Sequence, residues 1–291
     1  MVASGWIPTA YNRGGHQRAK REQSLASAPE QPIPILSVRD LSATYAEQGA
    51  ILPVLDRVDL EVGEGEFVAL IGPSGSGKST LLDIVAGLIE PDRGEIRLFG
   101  EVSAAERRLG RSAYMQQRDL LLPWRTAVAN AALALEVKGI DRRTARDQAR
   151  QRFNDLGLQG FETVYPAQLS GGMRQRVAFV RTMLGGQRLI LLDEPFGSLD
   201  ALTRASAQDW LLDVLSRDQR SALLVTHDVD EAILLADRVV VLSGRPGRVI
   251  HEEQVVLPRP RTRDMIASAA FVATRIRLLE QLGLVHAGAG S

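Results

Sequence analysis

The sequence contains no cysteine. That excludes disulfides, thiolate metal sites and a cysteine nucleophile, and suits a reducing compartment. Net charge is also missing: 35 Lys+Arg face 35 Asp+Glu. The whole chain therefore lacks the basic footprint of a nucleic-acid binder, and no nucleic-acid partner is expected. Histidine is scarce and dispersed. His16, His227, His251 and His286 lie too far apart in sequence to suggest a metal cluster. No apolar run approaches the roughly 18–20 residues that cross a bilayer, and the N-terminus has no signal-peptide apolar core. A cytoplasmic polypeptide is expected, one that would work at a membrane only through another chain.

What is present is globular in character. Hydrophobic residues make up 45% and charged residues 24% of 291, enough for one or two folded domains. The densest signal is Gly72-Pro73-Ser74-Gly75-Ser76-Gly77-Lys78-Ser79-Thr80. It follows the apolar run 67–71 and precedes an apolar-faced stretch, 81–88, so it reads as strand, glycine-rich loop and helix. This order fits a phosphate-binding loop. The glycines let successive N–H groups converge on phosphate oxygens, and the helix turns its positive end toward the same anion. Lys78 would reach the β- and γ-phosphates, and Ser79 would ligate Mg²⁺.

Two further apolar strands end in polar residues. Leu189–Leu192 runs into Asp193-Glu194, and Leu224-Val225 runs into Thr226-His227-Asp228. Carboxylates at a strand's C-terminal end emerge where open α/β sheets bind ligands. Asp193 would hold Mg²⁺, and Glu194 would polarise the attacking water as general base. His227 would contact the γ-phosphate and sense its departure. Separately, Leu169-Ser170-Gly171-Gly172-Met173-Arg174-Gln175-Arg176 opens a helix with Ser170 as N-cap. Gly171 and Gly172 leave its first N–H groups bare, a second anion site. Two phosphate-binding helix ends in one chain suggest ATP sandwiched between two copies.

The remaining chain falls into blocks. Residues 1–34 are rich in Gly, Pro, Ser, Gln and Arg without apolar periodicity, and read as a disordered tail. Alternating segments at 36–41 and 54–62 predict strands, as do 95–99 and 112–117. From Thr126 to Leu184 the pattern is helical, with segments 126–137, 141–156 and 171–184; a helical subdomain of about 118–184 is inserted into an α/β core. Fully apolar runs at 189–192, 222–225 and 238–242 predict parallel strands covered on both faces. A strand near 249–257 and a terminal helix over 264–282 complete the chain.

With these motifs in order, the chain resembles the ATP-binding subunits of ABC transporters, from about Ile35 to Arg261. The resemblance implies a P-loop NTPase core with a mixed, mainly parallel sheet, an antiparallel β subdomain and the inserted helical subdomain. Residues 262–291 would then form an appended C-terminal helix and tail. It further implies that Tyr45 stacks on adenine, and that Gln117 senses Mg²⁺ and the attacking water and couples to the membrane partner. Asp200, in Ser198-Leu199-Asp200, would sit at the dimer seam. Met173 stands where many members carry glutamine. The segments Leu121-Leu122-Pro123-Trp124-Arg125 and 242–248 look like importers of the nitrate, sulfonate and taurine group, which includes pyrimidine-precursor relatives. ATP and Mg²⁺ are the implied cofactors. The implied partners are a second copy, a membrane permease and, indirectly, a solute-binding protein, with the subunit on the cytoplasmic face of the membrane. The competing class is a soluble ABC ATPase of translation or DNA repair; neither the second cassette nor the coiled-coil insertion those need is present.

Overall fold

The structure, a computed structural model, describes residues 33–47 and 50–284. The expected disordered tail lies outside the described residues except for Ile33 and Pro34, as do residues 285–291.

Two sheets frame the chain. β1 (Leu36–Glu47), β2 (Ala50–Val62), β4 (Arg93–Leu98) and the short β5 (Glu101–Val102) form an antiparallel sheet in the order β2-β1-β4-β5. The second sheet contains β3 (Phe67–Ile71), β6 (Ser112–Met115), β7 (Leu189–Asp193), β8 (Ser221–Val225), β9 (Arg238–Leu242) and β10 (Val249–Gln254). Its order is β10-β9-β3-β8-β7-β6, parallel throughout except for β10, which runs antiparallel to β9.

The apolar strands of this second sheet alternate between two cores, because successive side chains point to opposite faces. Phe67, Ala69, Ile71, Ile190, Leu192, Ala222 and Leu224 enter one core with the helices. Val68, Leu70, Leu189, Leu191, Leu223 and Val225 enter the other. That second core holds the inner faces of β1 and β2 together with α1 (Lys78–Ala86). A short α2 (Ala105–Arg108) leads to β6. The helical block is α3 (Ala127–Ala131), α4 (Leu133–Val137), α5 (Arg142–Asp155) and α6 (Gly171–Leu184). The stretch 126–137 is therefore two short helices joined at Ala132, not one.

Besides the short α2, periodicity does not predict α7 (Ala201–Asp218) or α8 (Val229–Leu235). The predicted terminal helix over 264–282 is interrupted. A 3₁₀ turn (Arg263–Ala267) precedes α9 (Ala269–Gln281), because Ser268 is extended and its hydroxyl accepts from the Phe271 amide at 3.3 Å, restarting the helix. The last strand ends at Gln254, short of the expected 257. Among the described residues no helix is long and apolar enough to cross a membrane.

Candidate nucleotide site

At the C-terminal edge of the parallel sheet, β3 feeds the loop 72–77 into α1. Gly77 is the helix N-cap with φ +91°, and a Cβ there would stand 2.7 Å from Leu55 Cδ2. Only glycine satisfies both the left-handed backbone and the close approach to β2. Gly75 is likewise left-handed at φ +76°. Lys78 is buried, and its ammonium donates to Gly72 O (2.9 Å), Pro73 O (2.8 Å) and Ser76 Oγ (3.2 Å). Burial pulls its pKa below the usual lysine range, opposed by the Glu194 and Asp193 carboxylates. Both carboxylates are therefore close enough to act on the loop's cation.

A cavity of about 370 Å³ lies over this loop. Its wall brings together Tyr45, Gly72, Ser74, Gly75, Gly77, Lys78, Ser79, Thr80, Gln117, Glu194 and His227. Pro73 and Ser76 shape the loop from behind; Ser76 is buried and donates its amide to Pro73 O at 3.2 Å. Tyr45 sits on β1 opposite Leu52, in a strand that runs six residues beyond the expected 41 and so carries the ring to the cavity.

Glu194 is the most constrained of these residues. Its φ is +48°, uncommon for a residue with a side chain. The conformation is fixed from three sides: its amide donates to Val225 O at 2.9 Å, and its carbonyl accepts from Gly197 N (3.2 Å) and Gln175 Nε2 (3.0 Å). Gln175 also accepts from the Ser198 amide at 3.2 Å, so one side chain of α6 clamps the whole 194–198 turn. This clamp was not singled out in the sequence; its only trace there was a glutamine inside the 169–176 motif. The Glu194 side chain is held in turn. Oε2 accepts from Gln117 Nε2 at 3.2 Å and lies 3.5 Å from His227 Nδ1.

Asp193, one residue back, is buried beneath the cavity. Desolvation raises its pKa, partly offset by a hydrogen bond from the Ser79 hydroxyl. Its Oδ1 is buried without a hydrogen-bond partner among the described residues. An orphaned carboxylate oxygen beside a serine hydroxyl is a hard-oxygen pair that fits Mg²⁺. Among the described residues no group of three acidic or histidine side chains could hold a metal alone. The remaining ligands would be phosphate oxygens and water, the usual Mg²⁺ arrangement in phosphoryl-transfer sites.

The other predicted residues form a second group, away from the cavity wall. Ser170 caps α6, its hydroxyl accepting from the Met173 amide at 3.2 Å. A Cβ on Gly172 would lie 3.4 Å from Leu199 Cδ2 and 3.6 Å from Ser198 O, so the helix start abuts the Ser198-Leu199-Asp200 segment. Asp200 accepts from Thr203 N at 3.0 Å, and hydrogen bonding to Thr203 lowers its pKa. The Met173 side chain packs on the main core and makes its contact there.

Comparison with known proteins bears on the family and the fold. A family model described as ABC transporter matches residues 55–197. The formylaminopyrimidine import ATP-binding protein ThiZ of Halalkalibacterium halodurans is 44% identical over 221 residues, 76% of this chain and 84% of that one. The chain belongs to the ABC transporter family. An aliphatic sulfonates import ATP-binding protein, SsuB 1 of Xanthomonas axonopodis pv. citri, is 44% identical over 236 residues, covering 80% and 92% of the two chains. Among solved structures, the ATP-binding cassette MJ0796, dimeric and bound to ADP and Pi, superposes with a TM-score of 0.70 at 30% identity, covering 76% of this chain and 98% of that one. This ABC subunit is thus an ATPase of the P-loop class.

Proposed function

We propose that the subunit powers import of a small solute through a separate membrane permease, working as a pair of copies with ATP held between them. The observation that supports this best is the division of the site residues into two groups. The cavity gathers the phosphate loop, Tyr45, Gln117, Glu194 and His227, whereas Ser170, Gly171, Gly172 and Asp200 stand outside its wall. An exposed helix start that stands outside the cavity of its own chain suits the γ-phosphate bound by a second copy.

Within one site, Tyr45 stacks on adenine. The loop from Gly72 to Thr80 holds the phosphates, and Ser79 with Asp193 holds Mg²⁺ while Gln117 senses it. Mg²⁺, when bound, neutralises phosphate charge as it builds toward the transition state. Glu194 is the general base; the Gln117 amide and the His227 ring keep its carboxylate in one orientation. Loss of the γ-phosphate is read by His227 and Gln117.

The permease contact is assigned to the loop after Gln117. Trp124 is 72% exposed and Leu120 is 48% exposed, although Leu121 turns inward and is buried. An exposed tryptophan on a fixed loop is an anchor for another protein. The permease would hold the subunit at the cytoplasmic face of the membrane, with cargo chosen by a solute-binding protein. Relatives named for aliphatic sulfonates and formylaminopyrimidine favour a small polar solute of one of those two kinds. Analytical sedimentation of Glu194→Gln tests the sandwich: monomer alone and dimer with ATP is expected. A monomer under both conditions at high ATP would reject it.

A further inference from the structure

One cation on the wall of the nucleotide cavity lies in the segment 242–248, which has no part in nucleotide binding in the account above. The loop after β9 closes on itself: Ser243 N donates to Arg248 O at 2.9 Å, and Arg248 N to Ser243 Oγ at 3.0 Å. It is also clamped on both flanks. Gly247 N donates to Val54 O (2.8 Å) and Gly247 O accepts from Asp56 N (3.0 Å), while Arg248 Nε pairs with Asp56 Oδ2 at 2.8 Å. Toward the phosphate loop the fit is tighter still, since a Cβ on Gly247 would stand 2.0 Å from Ser76 O. A loop fixed at so many points holds its tip in a defined place.

Arg245 is at that tip and lines the same cavity as Lys78 and Tyr45. Its guanidinium lies over Gly75, with Nη2 3.5 Å from the place a Cβ there would occupy. Among the described residues it has one hydrogen bond, Nε to Gly75 O at 3.3 Å. A guanidinium has five N–H donors, so both Nη groups are left without an acceptor among the described residues. Lys78 is the opposite case, its ammonium turned onto three oxygens of the loop itself. Among the described residues, the hydrogen bonds and close approaches of the 243–248 loop to the phosphate loop and β2 fall on Gly75, Ser76, Val54, Leu55 and Asp56, and no hydrogen bond or ion pair joins it to Glu194, Gln117 or His227.

We propose that Arg245 is a nucleotide-binding residue that donates through Nη1 and Nη2 to the diphosphate shared by ATP and ADP. It rests on the reading of the cavity as the ATP site. Because it lies apart from the group around Glu194, it binds substrate, product and transition state alike, and acts on affinity more than on the chemical step. Arginine suits this task by its planar, permanently charged fork.

The test is a fluorescence titration of the full chain with ATP, ADP and adenosine, Mg²⁺ present, for wild type, Arg245→Gln and Arg245→Lys. Arg245→Gln should weaken ATP and ADP by the same factor, roughly tenfold at low salt and less at high salt, because the group is exposed and screened. Adenosine binding should not move, and Arg245→Lys should recover part of the loss. In steady-state assays the change should appear in KM for ATP more than in kcat. Equal ATP and ADP affinities in wild type and Arg245→Gln would overturn the assignment. So would a matching loss for adenosine, which would mean that the loop merely shapes the base end. Wild type failing to bind ATP would instead remove the cavity's assignment. Equal melting temperatures of the three proteins separate lost contact from lost folding.

Discussion

Two helices of this chain, α1 and α6, start on glycines beside a serine, and the two starts are built differently. At α1 the loop is wrapped: Lys78 is buried against loop oxygens, Gly77 is pressed on β2, and Asp193 and Glu194 stand behind and beside it. At α6 the helix start is exposed, and the hydroxyl of its cap, Ser170, accepts from the Met173 amide of the same helix. Both ends use glycines and a serine, so local sequence does not separate them. Surroundings do. The first is wrapped by its own chain, whereas the second is left open, and the function proposed above gives it an anion brought by another molecule.

The sharpest way to break the contrast is to disable the finished site chemically while leaving its binding intact. Glu194→Gln keeps the hydrogen-bond partners of the side chain but removes the base, and should slow ATP hydrolysis roughly 10²–10⁴-fold. A phosphate-release assay alongside an ATP titration checks it, and near-normal turnover would remove Glu194 from that role. The reverse experiment fills the unfinished site. Ser170→Arg, placed in the Glu194→Gln background, should abolish the ATP-dependent dimer while each monomer still binds ATP. A dimer that survives the arginine would show that α6 faces no second nucleotide.

A third surface sharpens the comparison, because it is also unfinished but apolar. Trp124→Ala should weaken association with the permease by roughly 2 kcal/mol, about thirtyfold. Basal ATPase and melting temperature of the isolated subunit should hardly change. Pull-down from reconstituted membranes measures it, and unaltered transport in the complex would place the docking surface elsewhere. Asn130→Ala acts from behind the same loop. Its side chain is fully buried and bonds to Leu122 N (2.7 Å), Leu122 O (3.1 Å), Arg125 O (2.9 Å) and Thr126 O (3.2 Å). Stripping those partners should cost about 1–3 kcal/mol in chemical denaturation. A stability equal to wild type would mean that water replaces the amide.

The smallest effect expected is a pH effect at Glu231, buried under the His227 turn and bonded to Gln208 Nε2 at 2.7 Å. Desolvation raises its pKa, against hydrogen bonds from Thr226 and Gln208. The folded chain thus keeps this proton at a pH where the unfolded chain has released it. The stability it gives is complete below the unfolded value and is lost as pH rises through the folded one. Glu231→Gln should therefore leave the acid-side melting temperature nearly unchanged and raise it modestly toward neutrality. Parallel melting curves for the two proteins across that range would exclude the effect.

Much of this was legible in the chain because the parallel strands are apolar on both faces and end abruptly in polar residues. Leu189–Leu192 before Asp193, and Leu224-Val225 before Thr226, mark the sheet's C-terminal edge directly. The longer helices that periodicity does not mark, α7 and α8, carry their starting aspartates inside functional motifs. Asp228 accepts from Asp230 N (2.9 Å) and Glu231 N (3.1 Å) as the N-cap of α8, and Asp200 accepts from Thr203 N just as α7 begins. Each aspartate serves both as a motif residue and as a helix start, and only the first use shows in the sequence pattern. The clamp of Gln175 on Glu194 and the reach of Arg245 over Gly75 span 19 and 170 positions. No periodicity records such contacts, since they exist only after the sheet has set the strand order.

The fourfold grip of Asn130 means that the shape of the loop 122–126 is dictated from α3, and not by the loop's own exposed side chains. Shape and vocabulary are thereby decoupled. Pro123 and Trp124 are free to vary while the backbone that presents them stays put, much as a socket keeps its form when the plug is exchanged. A subunit made this way could be re-addressed to a different membrane partner by exchanging a handful of exposed residues, with the ATPase behind it untouched.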